Sequence, residues 1–260
     1  MNGSKFAQRC ALAYMARYGA WLGLERREGR PRTWTRADPA LLRRVARAWG
    51  NARHAPTDDV VRLHYGRLIR ETDLQYRHML DYGLKVILYE GPAEQQPYRG
   101  YEDMVADIET NRRLVIWPHD THMPADHPLL RATSGGVTAN IQFRTVHDVL
   151  GHALGHDISI AGEEATYAEQ TTLYSRAAWP ALASEIRGQN AWLFYGPHLF
   201  RADGSLPKRG DADYIPWTER PYPEQKAVIL PPEFWVPVVT EEAGAPDNRT
   251  NGSLALQAAV

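Results

Sequence analysis

Histidine is concentrated in the middle of this sequence. Six of the ten histidines fall within 38 residues, and they are His119, His122, His127, His147, His152 and His156. Histidine is the commonest protein ligand of transition metals and the usual acid or base near neutral pH. The cluster therefore predicts a metal site or an acid–base site in this part of the chain.

The string V-H-D-V-L-G-H is the sharpest motif, because only four residues separate His147 from His152. On a regular helix five steps rotate a side chain by about 140°, so the two imidazoles would diverge. They converge if the helix ends or bulges near Gly151, since glycine adopts unusual backbone angles. His152 and His156 form a second pair, one helical turn apart on one face, and spacing alone leaves both pairs open.

Two histidines need one carboxylate to complete the facial triad of a non-heme iron site. The downstream candidates are Glu163, Glu164 and Glu185. The first two follow a glycine and are also the acids that the first turn of a helix favours. Glu185 lies in an apolar stretch, where a buried carboxylate requires a metal or an ion pair, and Arg187 is the nearby alternative partner.

Several polar residues near the motif have candidate roles of their own. Asp148 can accept the second N–H of a ligand imidazole, or it can be a plain surface or capping aspartate. Arg144 and Arg187 can bind a carboxylate or phosphate of the substrate, or they can pair with the glutamates. Gln189 and Asn190 can bond a planar substrate amide or base edge, or they can cap a helix end.

The string H-D-V-L-G-H resembles the H-E-L-L-G-H string of the aromatic amino acid hydroxylases, which are non-heme iron enzymes. The resemblance implies that His147 and His152 bind Fe(II), that Glu185 completes the triad and that dioxygen is a substrate. It covers about 45 residues and does not extend to that family's pterin-binding segments, so a pterin is not expected. Glu185 follows His152 by 33 residues, nearer than that family places its glutamate, and Glu164 therefore stays an alternative ligand.

A second resemblance covers more of the chain. Residues 100–200, from Y-E-D-M-V-A-D-I to F-Y-G-P-H, are similar to uncharacterised proteins of phage and bacterial genomes. This resemblance implies that the segment is one functional unit, but it names no substrate.

Three functions are compatible with these residues. We expect a non-heme Fe(II) monooxygenase that uses dioxygen to hydroxylate or oxidise a small polar substrate. V-H-D-V-L-G-H also resembles the H-D-x-G-H string of the HD phosphohydrolases, which implies that Asp148 and His147 bind a divalent metal with His119 or His78 and Asp157. The third hypothesis is a phage-associated structural or binding protein without catalytic turnover. The sequence leaves open whether the site binds one metal ion or two.

Composition limits the class of protein. The chain has 260 residues, 43% hydrophobic and 23% charged, with a mean hydropathy of -0.48, which is typical of a globular protein. No apolar run approaches the roughly 18 residues that a membrane span requires, so no membrane partner is expected. The single cysteine, Cys10, excludes an internal disulfide, and a cytoplasmic location is expected.

The charge of the chain is uneven. Residues 1–53 carry 12 Lys or Arg against three acids, although the whole chain has a net charge of only -1. A basic segment of this kind can bind nucleic acid. Because its arginines alternate with apolar residues at helical spacing, we expect them to solvate the outer faces of helices instead.

The hydrophobic pattern predicts a mainly α fold with a few short strands. Predicted elements are a helix over 4–23, a helix opened by Asp38-Pro39, a helix from Pro56 to about Tyr82, strands at 85–89 and 113–117, a helix between them, a loop-like stretch over 118–145, and two or three helices between about 144 and 194.

These elements predict one domain with distinct parts. The predicted domain covers residues 1–240 and binds metal. Its predicted parts are a basic helical N-terminal part (1–83), a motif-bearing core (100–200) and an extended Pro-rich arm (195–240). A flexible tail is predicted over 241–260.

Overall fold

The computed structural model describes residues 3–24, 38–92, 95–118, 120, 123–216 and 219–237. Its helices are α1 (Lys5–Leu22), α2 (Pro39–Asn51), α3 (Asp59–Asp81), α4 (Tyr101–Asn111), α5 (Ala139–Leu150), α6 (Ile160–Gln170), α7 (Trp179–Leu182) and α8 (Gln189–Tyr195). Its strands are β1 (Lys85–Leu88) and β2 (Arg113–Ile116). The prediction of a mainly helical fold with minor strand content is confirmed. The predicted tail and the histidines His119 and His122 lie outside the described residues.

Short-range signals explain the first three helices. Each begins after a residue whose side chain accepts a backbone N–H of the first turn, and these caps are Ser4, Asp38 and Asp58. Glycines follow two of the helix ends in the left-handed region, Gly23 with φ 66° and Gly83 with φ 105°. The predicted bounds of these helices therefore agree with the structure to within a few residues.

The two strands form a small parallel sheet, in which Lys85 pairs with Arg113 and Leu88 with Ile116. Helix α4 connects them, as the chain between two parallel strands requires a crossover. Leu114 and Ile116 of β2 are buried, whereas β1 is largely exposed.

Helix α5 lies at the centre of the molecule, and all twelve of its residues are buried. It begins at Ala139, and the side chain of Thr138 accepts the N–H of Ile141. The sequence predicts a loop-like stretch up to residue 145, so the helix begins earlier than expected. The sequence pattern missed this first turn because a helix buried on every face has no polar stripe to mark its period.

Helices α7 and α8 run on from one another through a π-helical turn, Ala183–Gly188, that carries Glu185 and Arg187. Beyond α8 the chain is irregular, as expected of the extended arm. Val228, Leu230 and Phe234 of this arm are buried in a second apolar cluster with α2 and α8. The arm is thus part of the core packing.

No helix within the described part of the chain is both long enough and apolar enough to cross a membrane.

Candidate metal centre

The break that brings the two motif histidines together lies at Gly151. Helix α5 ends at Leu150, Gly151 has φ -127° and ψ -88°, and a short 3₁₀ turn begins at His152. A Cβ at Gly151 would lie 2.3 Å from the carbonyl oxygen of His147 and 2.5 Å from Cγ2 of Thr166, so only glycine fits. The imidazole centroids are consequently 4.6 Å apart, with their planes at 89°.

Glu163 supplies the carboxylate that faces both rings. Ser159 caps α6 by accepting the N–H of Gly162, and this start places Glu163 in the first turn, against α5. Its Oε2 is 3.5 Å from Nε2 of His147 and its Oε1 is 3.4 Å from Nε2 of His152. One ligand atom from each residue lies within 4.8 Å of the others, and all three side chains are buried.

Hydrogen bonds at the far side of each ring indicate the histidine tautomers. Nδ1 of His152 is 2.8 Å from the carbonyl oxygen of His156, which can only accept, so this Nδ1 carries the proton. Nδ1 of His147 is 3.0 Å from Oε1 of Gln170, with the Gln170 amide oriented so that it accepts. In both neutral rings the lone pair is therefore on Nε2, the atom that faces Glu163.

Two lone pairs aimed at a carboxylate repel it unless a cation lies between them. Without a metal ion a proton has this role. Burial opposes the protonation of His152, but the Glu163 carboxylate outweighs burial and raises the pKa of His152 to about 9. Burial would raise the pKa of Glu163, but His152 and His147 outweigh it and lower that pKa to about 2. The site thus favours a positive charge at its centre.

The donor set and its spacing fit a metal ion. Two ligands bound at about 2.1 Å lie about 3.0 to 3.4 Å apart in octahedral or tetrahedral geometry, close to the observed 3.4 and 3.5 Å. Nε2 of His147 is also buried and has no hydrogen-bond partner among the described residues. His147, His152 and Glu163 can therefore hold a metal ion, and three protein ligands leave coordination positions open.

Three outer groups hold these ligands in place. Asn190 donates from Nδ2 to Oε2 of Glu163 at 2.9 Å, and the carbonyl of His156 and Gln170 hold the two rings. Sequence reasoning missed Gln170. A signal was available, because Gln170 follows Glu163 by seven residues and therefore lies on the same face of α6, two turns later.

Glu164, another of the three carboxylates named as ligand candidates, lies in a different contact. It accepts from Nε and Nη2 of Arg187, with the shortest distance 2.7 Å. Neighbouring residues on a helix differ by about 100° in direction, so Glu163 and Glu164 cannot both face the histidines. Arg187 also donates from Nη1 to the carbonyls of Phe234 and Val236, which ties the arm to α6 and leaves this arginine engaged away from any substrate.

Glu185, the carboxylate that the resemblance favoured, also lies outside the His-His-Glu group. It accepts from the hydroxyl of Tyr65 and from Nε2 of Gln189, the latter at 2.9 Å. Nε2 of His127 is 3.5 Å away. Because Nδ1 of His127 accepts the N–H of Leu129 at 3.3 Å, the neutral ring carries its proton on Nε2 and has no lone pair there to offer a metal.

Asp148 does not have the role of imidazole acceptor that the sequence suggests, and Arg144 is buried beside it. Asp148 does not hold a ligand imidazole, since Gln170 and a carbonyl do so. Burial raises the pKa of Asp148 to about 6, although His147, His152 and Arg144 oppose the change. Arg144 donates to the carbonyl of Trp117 at 2.9 Å, and burial lowers its pKa despite Asp148. The His156 ring is partly exposed, 4.0 Å from Glu169, and contributes through its backbone carbonyl.

Comparisons with protein families, with curated proteins and with solved structures find no match to this chain. The interpretation of the site therefore depends on its own geometry.

Proposed function

We propose that this protein is a mononuclear Fe(II)-dependent oxygenase that oxidises a small polar substrate with dioxygen at a centre formed by His147, His152 and Glu163. The supporting observation is the convergence of two Nε2 lone pairs on one carboxylate in a buried site. Two nitrogens and one oxygen on one side of an octahedral ion leave about three positions for dioxygen and substrate, the arrangement of the facial triad.

The residues around the ligands have separable tasks in this proposal. Bound iron would supply the activation of dioxygen. Gln170 and the His156 carbonyl fix the two imidazoles, and Asn190 fixes the Glu163 carboxylate, so that the ligands stay ordered when the metal leaves. Arg144, one turn before His147 on α5, would neutralise an acidic group of the substrate. Burial of all three ligands excludes bulk water from the reaction.

A second candidate is hydrolysis at zinc, because two histidines and one glutamate also hold catalytic zinc. Asp148, with its pKa raised to about 6, would then be a candidate general base. An HD phosphohydrolase is less well supported, because Asp148 is not a member of the three-residue group. A closed structural site would need a fourth ligand, and the described residues provide three.

Metal analysis of anaerobically purified protein tests the proposal. We expect close to one iron per chain, a high-spin iron–nitrosyl EPR signal when nitric oxide is added, and loss of both in His147→Ala, His152→Ala and Glu163→Ala. The matched control is His156→Ala, which removes a neighbouring ring but no ligand and should keep both. Stoichiometric zinc with no nitrosyl signal after iron loading would overturn the oxygenase proposal in favour of hydrolysis.

A further inference from the structure

A separate cavity lies in the first half of the arm. It has a volume of about 190 Å³ and is open to solvent on one side. Phe200, Leu206 and Tyr214 contribute apolar and aromatic wall, and His198 and Arg220 contribute polar groups. None of these residues belongs to the metal centre. Arg201 and Asp213 also line it, so polar and apolar groups share its walls about equally. A concave site with convergent polar groups is a common form of small-molecule site.

Arg201 stabilises one wall of this cavity. It donates from Nε and Nη2 to Asp213 at 2.7 and 2.6 Å, and from Nη2 to Asp211 at 2.7 Å. These bonds close the loop between residues 201 and 213. They also more than offset the charge of the guanidinium, because two carboxylates surround it. Arg201 therefore shapes the wall but offers a ligand no net positive charge.

Arg220 is the cation that stays available. Its Nε and Nη1 donate to the carbonyls of Ile215 and Leu193, each at 3.3 Å, and its guanidinium lies over the ring of Phe194. Neutral carbonyls leave the positive charge uncompensated, and Nη2 has no acceptor within the described ranges. Burial lowers the pKa of Arg220, which reflects the cost of keeping this charge without a counter-ion.

His198 adds a second polar group beside Arg220. Its ring lies against Trp192, with the centroids 4.1 Å apart. Gly196 permits this approach, since a Cβ there would lie 2.5 Å from the imidazole. Among the residues that the structure describes, neither ring nitrogen of His198 has a hydrogen-bond partner. The ring is thus fixed in place, with hydrogen-bonding capacity that no protein group uses.

We infer that this cavity binds a small aromatic carboxylate, with the carboxylate at Arg220 and His198 and the ring against Phe200 and Tyr214. A planar guanidinium matches a carboxylate in charge and geometry. Aromatic walls favour a flat apolar body over a compact inorganic anion. The site is distinct from the metal centre, and its ligand binds with or without a metal.

Calorimetric titration with benzoate tests this inference, with benzyl alcohol and inorganic phosphate as probes that lack the charge or the ring. We expect benzoate to bind with a Kd of about 1 mM or tighter, at least tenfold more tightly than either other probe. Arg220→Gln should weaken benzoate binding about tenfold or more. Arg209→Gln, at an exposed arginine of the same loop outside the cavity, should leave the affinity unchanged.

Chelator-treated protein separates this site from the metal centre. Benzoate affinity should be the same before and after chelation, and the NMR signals of the His198 ring should move during the titration while those of His147 and His152 do not. The NMR readout uses the unmodified chain and so applies even if Arg220→Gln fails to fold. Equal binding of phosphate or benzyl alcohol, an unperturbed His198, or loss of binding on chelation would each overturn the inference.

Discussion

The tautomer of each buried histidine determines which carboxylate can share a metal with it. His147 and His152 donate from Nδ1 and keep lone pairs at Nε2, towards Glu163. His127 accepts at Nδ1 and carries its proton at Nε2, towards Glu185. Two buried His–Glu contacts with similar distances thus have opposite chemistry, because the first suits a metal ion and the second a hydrogen bond.

Glu163→Gln should therefore abolish tight metal binding. The change removes the negative ligand, and we expect the affinity for Fe(II) or Zn²⁺ to fall by more than about 100-fold, since loss of an outer partner alone costs about 10- to 100-fold. Glu185→Gln is the matched variant, because it makes the same change in a buried carboxylate outside the group. Titration under anaerobic conditions measures both, and an equal loss in the two variants would contradict this assignment.

Gln170→Leu should weaken metal binding by about 10- to 100-fold, because the His147 ring would lose the acceptor that holds its proton on Nδ1. Gln170→Glu keeps an acceptor in that place and should restore the affinity. The same metal titration distinguishes the two variants. If leucine and glutamate had the same effect, Gln170 would be a packing residue and not a positioning residue.

At this scale the sequence predicts the motif that holds the two histidine ligands, but spacing alone leaves both histidine pairs open and does not select the carboxylate. His147 and His152 can converge only if the helix ends or bulges near Gly151, and the structure has this break. The choice between Glu163 and Glu164 requires the direction in which α6 faces, which depends on where Ser159 caps it and how it packs on α5. Neither is encoded in local spacing. The resemblance favours Glu185, but two of its contacts, with Tyr65 and His127, are distant in sequence.

At the scale of elements, the end of α5 is the feature that creates the site. Gly151→Ala would place a methyl group 2.3 Å from a backbone oxygen and 2.5 Å from Thr166, so the chain must shift and separate the two histidines. We expect a loss of about 1–3 kcal/mol in stability together with loss of metal binding. Gly66→Ala in α3 has ordinary contacts and should be neutral or slightly stabilising. Urea unfolding and metal titration measure both changes.

Arg187 links the arm to α6, because it pairs with Glu164 and also donates to two carbonyls of the arm. Arg187→Met leaves the Glu164 carboxylate buried without its cation and also frees the carbonyls of Phe234 and Val236, so we expect a loss of about 3–5 kcal/mol. Adding Glu164→Gln should recover part of it, because the unpaired charge is then gone. Urea unfolding at pH 7 tests this coupling. A loss below about 1 kcal/mol would mean that the pair behaves like an exposed one.

Elements marked by local signals were predictable, and elements defined by tertiary packing were not. Asp38 and Asp58 cap helices that their own neighbours specify, so α2 and α3 follow from sequence. The first turn of α5 also follows a capping residue, Thr138, but Asn140 and Gln142 are buried and not exposed, so no polar stripe marks the helix period there. The arm was recognisable from its prolines and aromatics, but its contact with Arg187 depends on a π-helical turn that spacing does not predict.

At the scale of the whole molecule, pH and metal should control stability together. In metal-free protein the pKa of His152 is about 9, above its unfolded value of about 6.5, so its stabilising charge is fully present below pH 6.5 and lost as pH rises through 9. We expect the free energy of unfolding to fall by up to about 3 kcal/mol over this interval in chelator. A bound metal ion replaces the proton, so the free energy of unfolding of the metal-loaded protein should fall little over this pH interval. At a free metal concentration of 100 times the Kd, the metal should raise the free energy of unfolding by about 2.7 kcal/mol. His152→Gln is the control, because it removes the titrating group and should flatten the metal-free profile. If the free energy of unfolding had the same pH dependence with and without metal, the ion would bind at a site that does not include His152.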